Sequence, residues 1–266
     1  MSDYVLRTAT ADDLDAVSRV RREAFGATGA PETAYRSVIE PERIHLAERA
    51  GEIAGVAGIF TRDMAVPGGV IPVAHVTGVA VANAHTRRGL LRRLITDQLT
   101  TAPEALAALW ASEGRIYQRF GYGLASQNVT LRANLREVSL RMPPSPGELR
   151  GVVPANAIAE FSQVYSRVLP TRPGWTGRSE TWWKHLTLDA ETRREGHTAE
   201  RAVLFENPDG VVDGYARGIA SRPAGTTTGP SRRSTSSRWS PRRPRPTPSC
   251  TASCCASTWP APWSRA

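Results

Sequence analysis

About the first 135 residues alternate between short apolar runs and polar breaks, in lengths that suit strands and helices in turn. Tyr4-Val5-Leu6-Arg7-Thr8-Ala9 reads as a strand. Thr10-Ala11-Asp12-Asp13 then opens a helix, with Thr10 as N-cap and Asp13 placed three residues on, close to a capping box. Leu14, Val17, Val20 and Phe25 fall on one face of that helix. A second short helix is expected after Pro31, through Tyr35 and Val38. Strands fit 44–47, 53–64 and 70–81, and Pro67-Gly68-Gly69 is the turn between the last two. A helix fits 90–100, a strand 106–111, a short helix 116–120 and part of a final strand 129–131. The order β-α-α-β-β-β-α-β-α-β implies an α/β (α+β) unit over 1–140, a mixed sheet flanked by helices on both faces.

The pattern then changes. Met142-Pro143-Pro144-Ser145-Pro146-Gly147 reads as a linker within 141–150. A helix around 157–168, a Trp-bearing helix at 179–188 and a hairpin follow; its strands are 201–205 and 211–217 about the turn Asn207-Pro208-Asp209-Gly210. This stretch, 151–217, repeats the early helix-helix-strand-strand order and then stops, as an incomplete second unit of the same kind would.

Composition matters most beyond residue 217. The chain carries a formal charge of +9, which alone would suggest nucleic acid or an anionic membrane as partner. Residues 218–266 hold eight arginines and no Asp, Glu or Lys, so 1–217 carries 26 basic against 25 acidic side chains and is nearly neutral. The same segment holds all three cysteines (Cys250, Cys254, Cys255), so the body has neither a disulfide nor a cysteine metal site. It lacks both the strand and the helix period and reads as a disordered tail. Lys184 is the only lysine beside 33 arginines, as in a GC-rich gene, where a shifted frame yields Arg, Pro, Ser and Thr. Read one base out of frame, 250–259 can spell an apolar-periodic helix. The expectation is an out-of-frame tail, and the DNA tests it: a single inserted or deleted base near codon 218 must restore a long reading frame. With no aromatic stacking pattern in this tail, nucleic acid is not expected as a partner. No run approaches 18 apolar residues and no secretory signal opens the chain, so neither a membrane partner nor export is expected, and the address expected is cytoplasmic.

Two segments carry the candidate chemistry. Val76 to Leu94 runs from a strand through Thr86-Arg87-Arg88-Gly89 into a helix start. Such an end leaves backbone N–H groups unpaired and attracts phosphate; Gly89 permits close approach and the arginines add charge-assisted bonds. A plain solvated face of Arg87, Arg88, Arg92 and Arg93 is the competing reading. Neither a Walker loop nor a dinucleotide fingerprint occurs. The second segment, Ala111-Ser112-Glu113-Gly114-Arg115-Ile116-Tyr117-Gln118-Arg119-Phe120-Gly121-Tyr122-Gly123, puts Tyr117 on the next strand-to-helix connection. His45, His75 and His185 are scattered, without metal-ligand spacing, so no metal is expected.

Together, Val-x-Val-x-x-x-His-x-Arg-Arg-Gly-Leu-Leu-Arg and Ala-Ser-Glu-Gly-x-Ile-Tyr-x-Arg-Phe-Gly-Tyr-Gly resemble the Eis-type (enhanced intracellular survival) branch of the GNAT N-acetyltransferases, over residues 1–217. The resemblance implies the GNAT acyl-CoA N-acyltransferase fold and acetyl transfer from acetyl-CoA to a primary amine, aminoglycoside-like or a lysine side chain of a protein. It implies that Val79 and Val81 bind the acetyl and pantetheine part through main-chain groups. Arg87, Arg88, Gly89 and Leu90 would cradle the pyrophosphate, although Thr86 stands where the family has another arginine and Asn83-Ala84 where it has Pro-Thr. Tyr117 would be the general acid, since a phenol with pKa near 10 is protonated at neutral pH and can protonate the leaving thiolate. Tyr122 reads as structural, and Glu113 as part of a turn. Tyr35 aligns with an aromatic of the amine pocket, with Glu23 nearby. Family members are larger, with two GNAT-like domains, a sterol-carrier-like domain and a C-terminal carboxylate as base, and they form trimers or hexamers. The resemblance therefore implies a truncated chain missing its base, with a non-catalytic acyl-CoA-binding fragment as the alternative to an active enzyme.

Overall fold

The computed structural model describes residues 3–26, 33–111, 113–125, 132–133, 139, 145–191, 194, 197–220 and 250–253. The chain divides into two compact units, Met1–Ser126 with Pro170–His185, and Gln127–Leu169 with Leu186–Ala266.

In the first unit, β1 (Val5–Thr8), β2 (Ile44–Arg49), β3 (Glu52–Val66), β4 (Gly69–Val81) and β5 (Ala107–Leu109) form one sheet in sequence order. The first four strands pair antiparallel, and β4 pairs β5 in parallel. The parallel pairing needs a crossover, supplied by helix α3 (Leu90–Thr101). Helix α1 (Leu14–Phe25) follows a single 3-10 turn, Ala11–Asp13, and the expected capping box is present: the Asp13 carboxylate accepts the Thr10 N–H at 2.8 Å. Arg7 grips the same carboxylate through two bonds of 2.7 and 2.8 Å, which holds the Asp13 pKa well below the usual carboxylate range. Gly26, at φ +62°, ends α1. Helix α2 (Thr33–Arg36) is shorter than its expected reach to Val38.

Residues 53 to 60 of β3 are all buried, because helices cover both faces of the sheet. On one face Val17 and Val20 of α1 pack on Ile44, Leu46, Val56 and Ala80. On the other, Leu90 and Leu94 of α3 pack on Ala47, Ala54 and Ala57, and Ile95 packs on Ile59, Ala74 and Val76. The short helix expected at 116–120 is two 3-10 turns, Gly114–Ile116 and Gln118–Phe120, meeting at Tyr117.

The second unit holds a sheet in the order β6-β10-β9-β8-β7, with β6 Arg132–Ala133, β7 Glu148–Val152, β8 Arg201–Glu206, β9 Val212–Ala220 and β10 Cys250–Ser253. The expected hairpin is present as β8 and β9; Asn207 closes its turn by accepting the Asp209 and Val211 N–H groups at 3.0 and 2.9 Å. Helix α4 (Ile158–Val168) packs Phe161 on Tyr215, ring centres 4.7 Å apart.

Three expectations are corrected. Residues 148–152, which overlap the end of the expected linker 141–150, form β7 and pair with β8; the pattern concealed them because every residue but Val152 is exposed. The Trp-bearing helix, α5 (Glu180–Thr187), lies largely with the first unit, since Trp182 meets Phe60 edge-on at 4.9 Å. Within 218–266, expected without regular structure, β9 runs on to Ala220 and Cys250–Ser253 pair with it. The rest of that tail, and the strand expected at 129–131, lie outside the described residues.

Candidate active site

The site is organised by one irregularity in β4. Thr77 pairs with Gly58 and Ala80 with Val56, so β4 uses one residue more than β3 across this interval. Gly78 sits in the bulge at φ +58°, where L side chains are strained. The extra residue switches which main-chain groups face which neighbour. Before it, the Ala74 N–H donates toward β5, to the Leu106 carbonyl at 3.0 Å. After it, the Ala82 N–H donates toward β3, to the Ala54 carbonyl at 2.9 Å. By alternation, Val79 and Val81 then turn their N–H and C=O groups to the side where β5 lies. Pairing with β5, however, ends at Val76 opposite Leu109. The main chain of Val79 and Val81 therefore borders an opening between two diverging strands.

The loop beyond β4 is held at several points. A 3-10 turn, Asn83–His85, leads out of the strand. The Asn83 N–H donates to Glu23 Oε1 at 2.8 Å, and His85 Nδ1 lies 2.7 Å from the Tyr4 hydroxyl. The Thr86 hydroxyl donates to the Asn83 carbonyl at 3.1 Å, so it serves the loop itself. Arg87 and Gly89 both have positive φ, 59° and 77°, and Gly89 is the N-cap of α3. The first helical bond is Arg93 N–H to the Gly89 carbonyl at 3.2 Å, which leaves the N–H groups before it to the helix end. Arg87, Arg88 and Gly89 are exposed, and no atom lies within 4 Å of where a Gly89 Cβ would stand. Arg93 is turned away: its Nη2 donates to the Tyr4 carbonyl at 2.9 Å. Leu90 is buried and anchors the first turn of α3. A concave backbone end with a positive dipole and two solvent-facing guanidinium groups fits a pyrophosphate.

Tyr117 comes from the other segment, at the junction of its two 3-10 turns. It packs, with Val79, against the cluster of Ile59, Ala74, Val76 and Ile95. Burial first, and the Glu113 charge second, raise its pKa above the ordinary value, so the phenol keeps its proton at neutral pH. Tyr122 stands edge-on at 5.8 Å; its hydroxyl is buried without a partner among the described residues, and burial pushes its pKa to about 12. Its packed position agrees with a structural part.

On the opposite face of β4, against α1, Tyr35 meets Phe60 edge-on at 5.7 Å and lines a small pocket with Arg21, Glu40, Thr77 and Gly78. Glu23 does not join Tyr35 there; its carboxylate is spent on the Asn83 N–H. Sequence reasoning missed Arg21, whose guanidinium carbon stands 3.8 Å from the centre of the Tyr35 ring. The signal was available: Arg21 follows Val17 by four residues and so shares the buried face of α1. Among the described residues no group of three or more His, Cys, Asp or Glu side chains could hold a metal, and no helix is long and apolar enough to cross a membrane.

Residues 5–125 match the GNAT acetyltransferase domain family, and the fold of the first unit agrees with that class. Such a domain implies use of an acyl-CoA. More particularly, the chain is similar to N-acetyltransferases named Eis. It is 32% identical to N-acetyltransferase Eis of Mycobacterium bovis over 222 residues, covering 78% of this chain and 55% of the relative. It is 39% identical to an uncharacterized N-acetyltransferase of Streptomyces avermitilis over 169 residues, 61% of this chain and 41% of the relative. The crystal structure of Eis1 from Mycobacterium abscessus superposes with a TM-score of 0.66 at 30% identity, covering 82% of this chain and 53% of that one. The chain thus spans about half the length of the relatives it matches.

Proposed function

We propose that the chain is an acetyl-CoA-dependent N-acetyltransferase acting on primary amines. The observation that carries this reading is the bulge at Gly78, which turns the main chain of Val79 and Val81 into the opening between β4 and β5. In this reading those groups hold the acetyl and pantetheine part, and Arg87, Arg88, Gly89 and Leu90 hold the pyrophosphate at the start of α3. Tyr117 donates the proton that the thiolate needs as it leaves; its raised pKa suits a donor. The amine approaches from the Tyr35 side of β4, and Glu23 acts by fixing the Asn83 end of the loop.

The test has two parts. Acetyl-CoA at millimolar concentration is expected to raise the melting temperature of the chain, by mass action on the folded state; no shift sinks the cofactor assignment. Tyr117→Phe is expected to keep that shift while lowering thiol release with amines about 100-fold, the usual scale for a general acid. A Phe variant as fast as the parent removes Tyr117 from its role. Acetyl-CoA binding without thiol release for any amine would leave the chain a non-catalytic acyl-CoA binder.

A further inference from the structure

One residue near the start of the chain holds both ends of the loop that precedes α3. The Tyr4 hydroxyl lies 2.7 Å from His85 Nδ1, on the strand side of that loop. The Tyr4 carbonyl accepts a bond from Arg93 Nη2 at 2.9 Å, on the helix side. The Tyr4 and His85 rings meet edge-on, with centres 5.6 Å apart. Tyr4 is 7% exposed and belongs to the buried cluster that contains Leu90 and Leu94, with Val81 packed against it. It directly precedes β1, which pairs with β2 from Val5 onward. The clamp is therefore anchored in the sheet and not in the loop. What it encloses needs holding: Arg87 has φ 59°, a left-handed conformation for an L residue, and Gly89 follows at 77°. Such a backbone persists only where its surroundings fix it. Glu23 and Thr86 act on Asn83, ahead of His85, whereas the Tyr4 contacts lie on both sides of Arg87-Arg88-Gly89.

We infer that Tyr4 is a positioning residue for the cofactor: it ties the two ends of the 86–89 loop to one buried ring and so keeps the loop in the shape that receives a pyrophosphate. This rests on the acetyltransferase reading above for the ligand of that loop. Tyr4 itself does not touch the cofactor; it acts through His85 and α3. A pyrophosphate at a helix start is held by backbone N–H groups, and the turns at 87–89 set their directions. Turns that are already formed do not have to be ordered by the ligand, which raises affinity. Without the clamp a fraction of the molecules has the loop in another shape, and the apparent affinity falls with the competent fraction. Electrostatic attraction is left to Arg87 and Arg88, so the Tyr4 contribution is one of shape.

Calorimetric titration of the full chain with CoA, well below the melting transition, tests this without requiring turnover. Tyr4→Phe keeps the ring and its packing and removes only the hydroxyl. It is expected to weaken CoA binding about fivefold, the scale of one hydrogen bond. His85→Phe should do the same, since it removes the other partner. The double variant should bind about as weakly as either single one, because both substitutions break the same contact. Val20→Ala, in the core on the other face of the sheet, should lower the melting temperature and leave CoA affinity unchanged, which separates lost stability from a displaced loop. Unchanged affinity in Tyr4→Phe, losses that multiply in the double variant, or equal weakening by Val20→Ala would each overturn the inference. The parent titration distinguishes this from failure of the acetyltransferase reading. A parent that binds no CoA removes the cofactor site and the clamp together, whereas a parent and a Tyr4→Phe variant that bind CoA equally well remove only the clamp.

Discussion

At the scale of single residues, Gly78 and His75 are neighbours on β4 with different constraints. Gly78 is at φ +58° and faces Arg21, so any Cβ meets both backbone strain and the guanidinium. Gly78→Ala is expected to cost about 1–2 kcal/mol, the scale of a left-handed conformation for an L residue. Chemical denaturation measures this; an unchanged midpoint would mean that the bulge is not held by glycine. His75 is 6% exposed and pairs across the sheet with Phe60. Its Nε2 has no partner among the described residues, and burial, reinforced by the Arg62 charge, lowers its pKa to about 4. The unfolded side chain, with pKa near 6.5, binds a proton in a range where the folded one refuses it. Its contribution to stability is therefore complete above about pH 6.5 and is lost as pH falls toward 4. His75→Gln, neutral throughout, should follow the parent above pH 7 and lose about 5 °C less on acidification to pH 4. Parallel melting curves for the two proteins would contradict this linkage.

At the scale of elements, α3 does two things at once. In the proposed function its N-terminus offers the phosphate cradle, and its buried face of Leu90, Leu94 and Ile95 fixes where that helix end stands. Leu94 is fully buried, and its Cδ1 lies 3.1 Å from where a Gly55 Cβ would be. Leu94→Ala should therefore destabilise the domain by about 2–5 kcal/mol. Since the same residue seats the loop, acetyl-CoA should restore part of the lost melting temperature; absence of any rescue would separate the helix from ligand binding. Most elements of the first unit were legible in the sequence, because their apolar period and caps are local. The strand 148–152 was not: it is an exposed strand with polar and glycine residues, and only its partner β8 reveals it. Helix α5 was legible as a helix but not as a neighbour of Phe60, a residue more than 120 positions away.

At the scale of the whole molecule, charge is unevenly spread. Because the arginine excess lies in 218–266, a chain ending at Ala220 should elute from a heparin column at clearly lower salt than the full chain. Equal elution would place the polyanion affinity in the body instead. The sequence by itself determined the element types of the GNAT unit, the Arg87-Arg88-Gly89 helix start and the two motifs that link this chain to its relatives. These are properties of neighbours in the chain, set by side-chain period, turn chemistry and caps. The tertiary structure alone decided which edge of β4 presents Val79 and Val81, that the Glu23 carboxylate accepts the Asn83 N–H of the loop, and that the half-buried Arg21 packs against Gly78. The physical reason is that strand register and burial are fixed by contacts between residues tens of positions apart. A one-residue bulge, invisible in the local pattern, reverses the direction of every main-chain group that follows it.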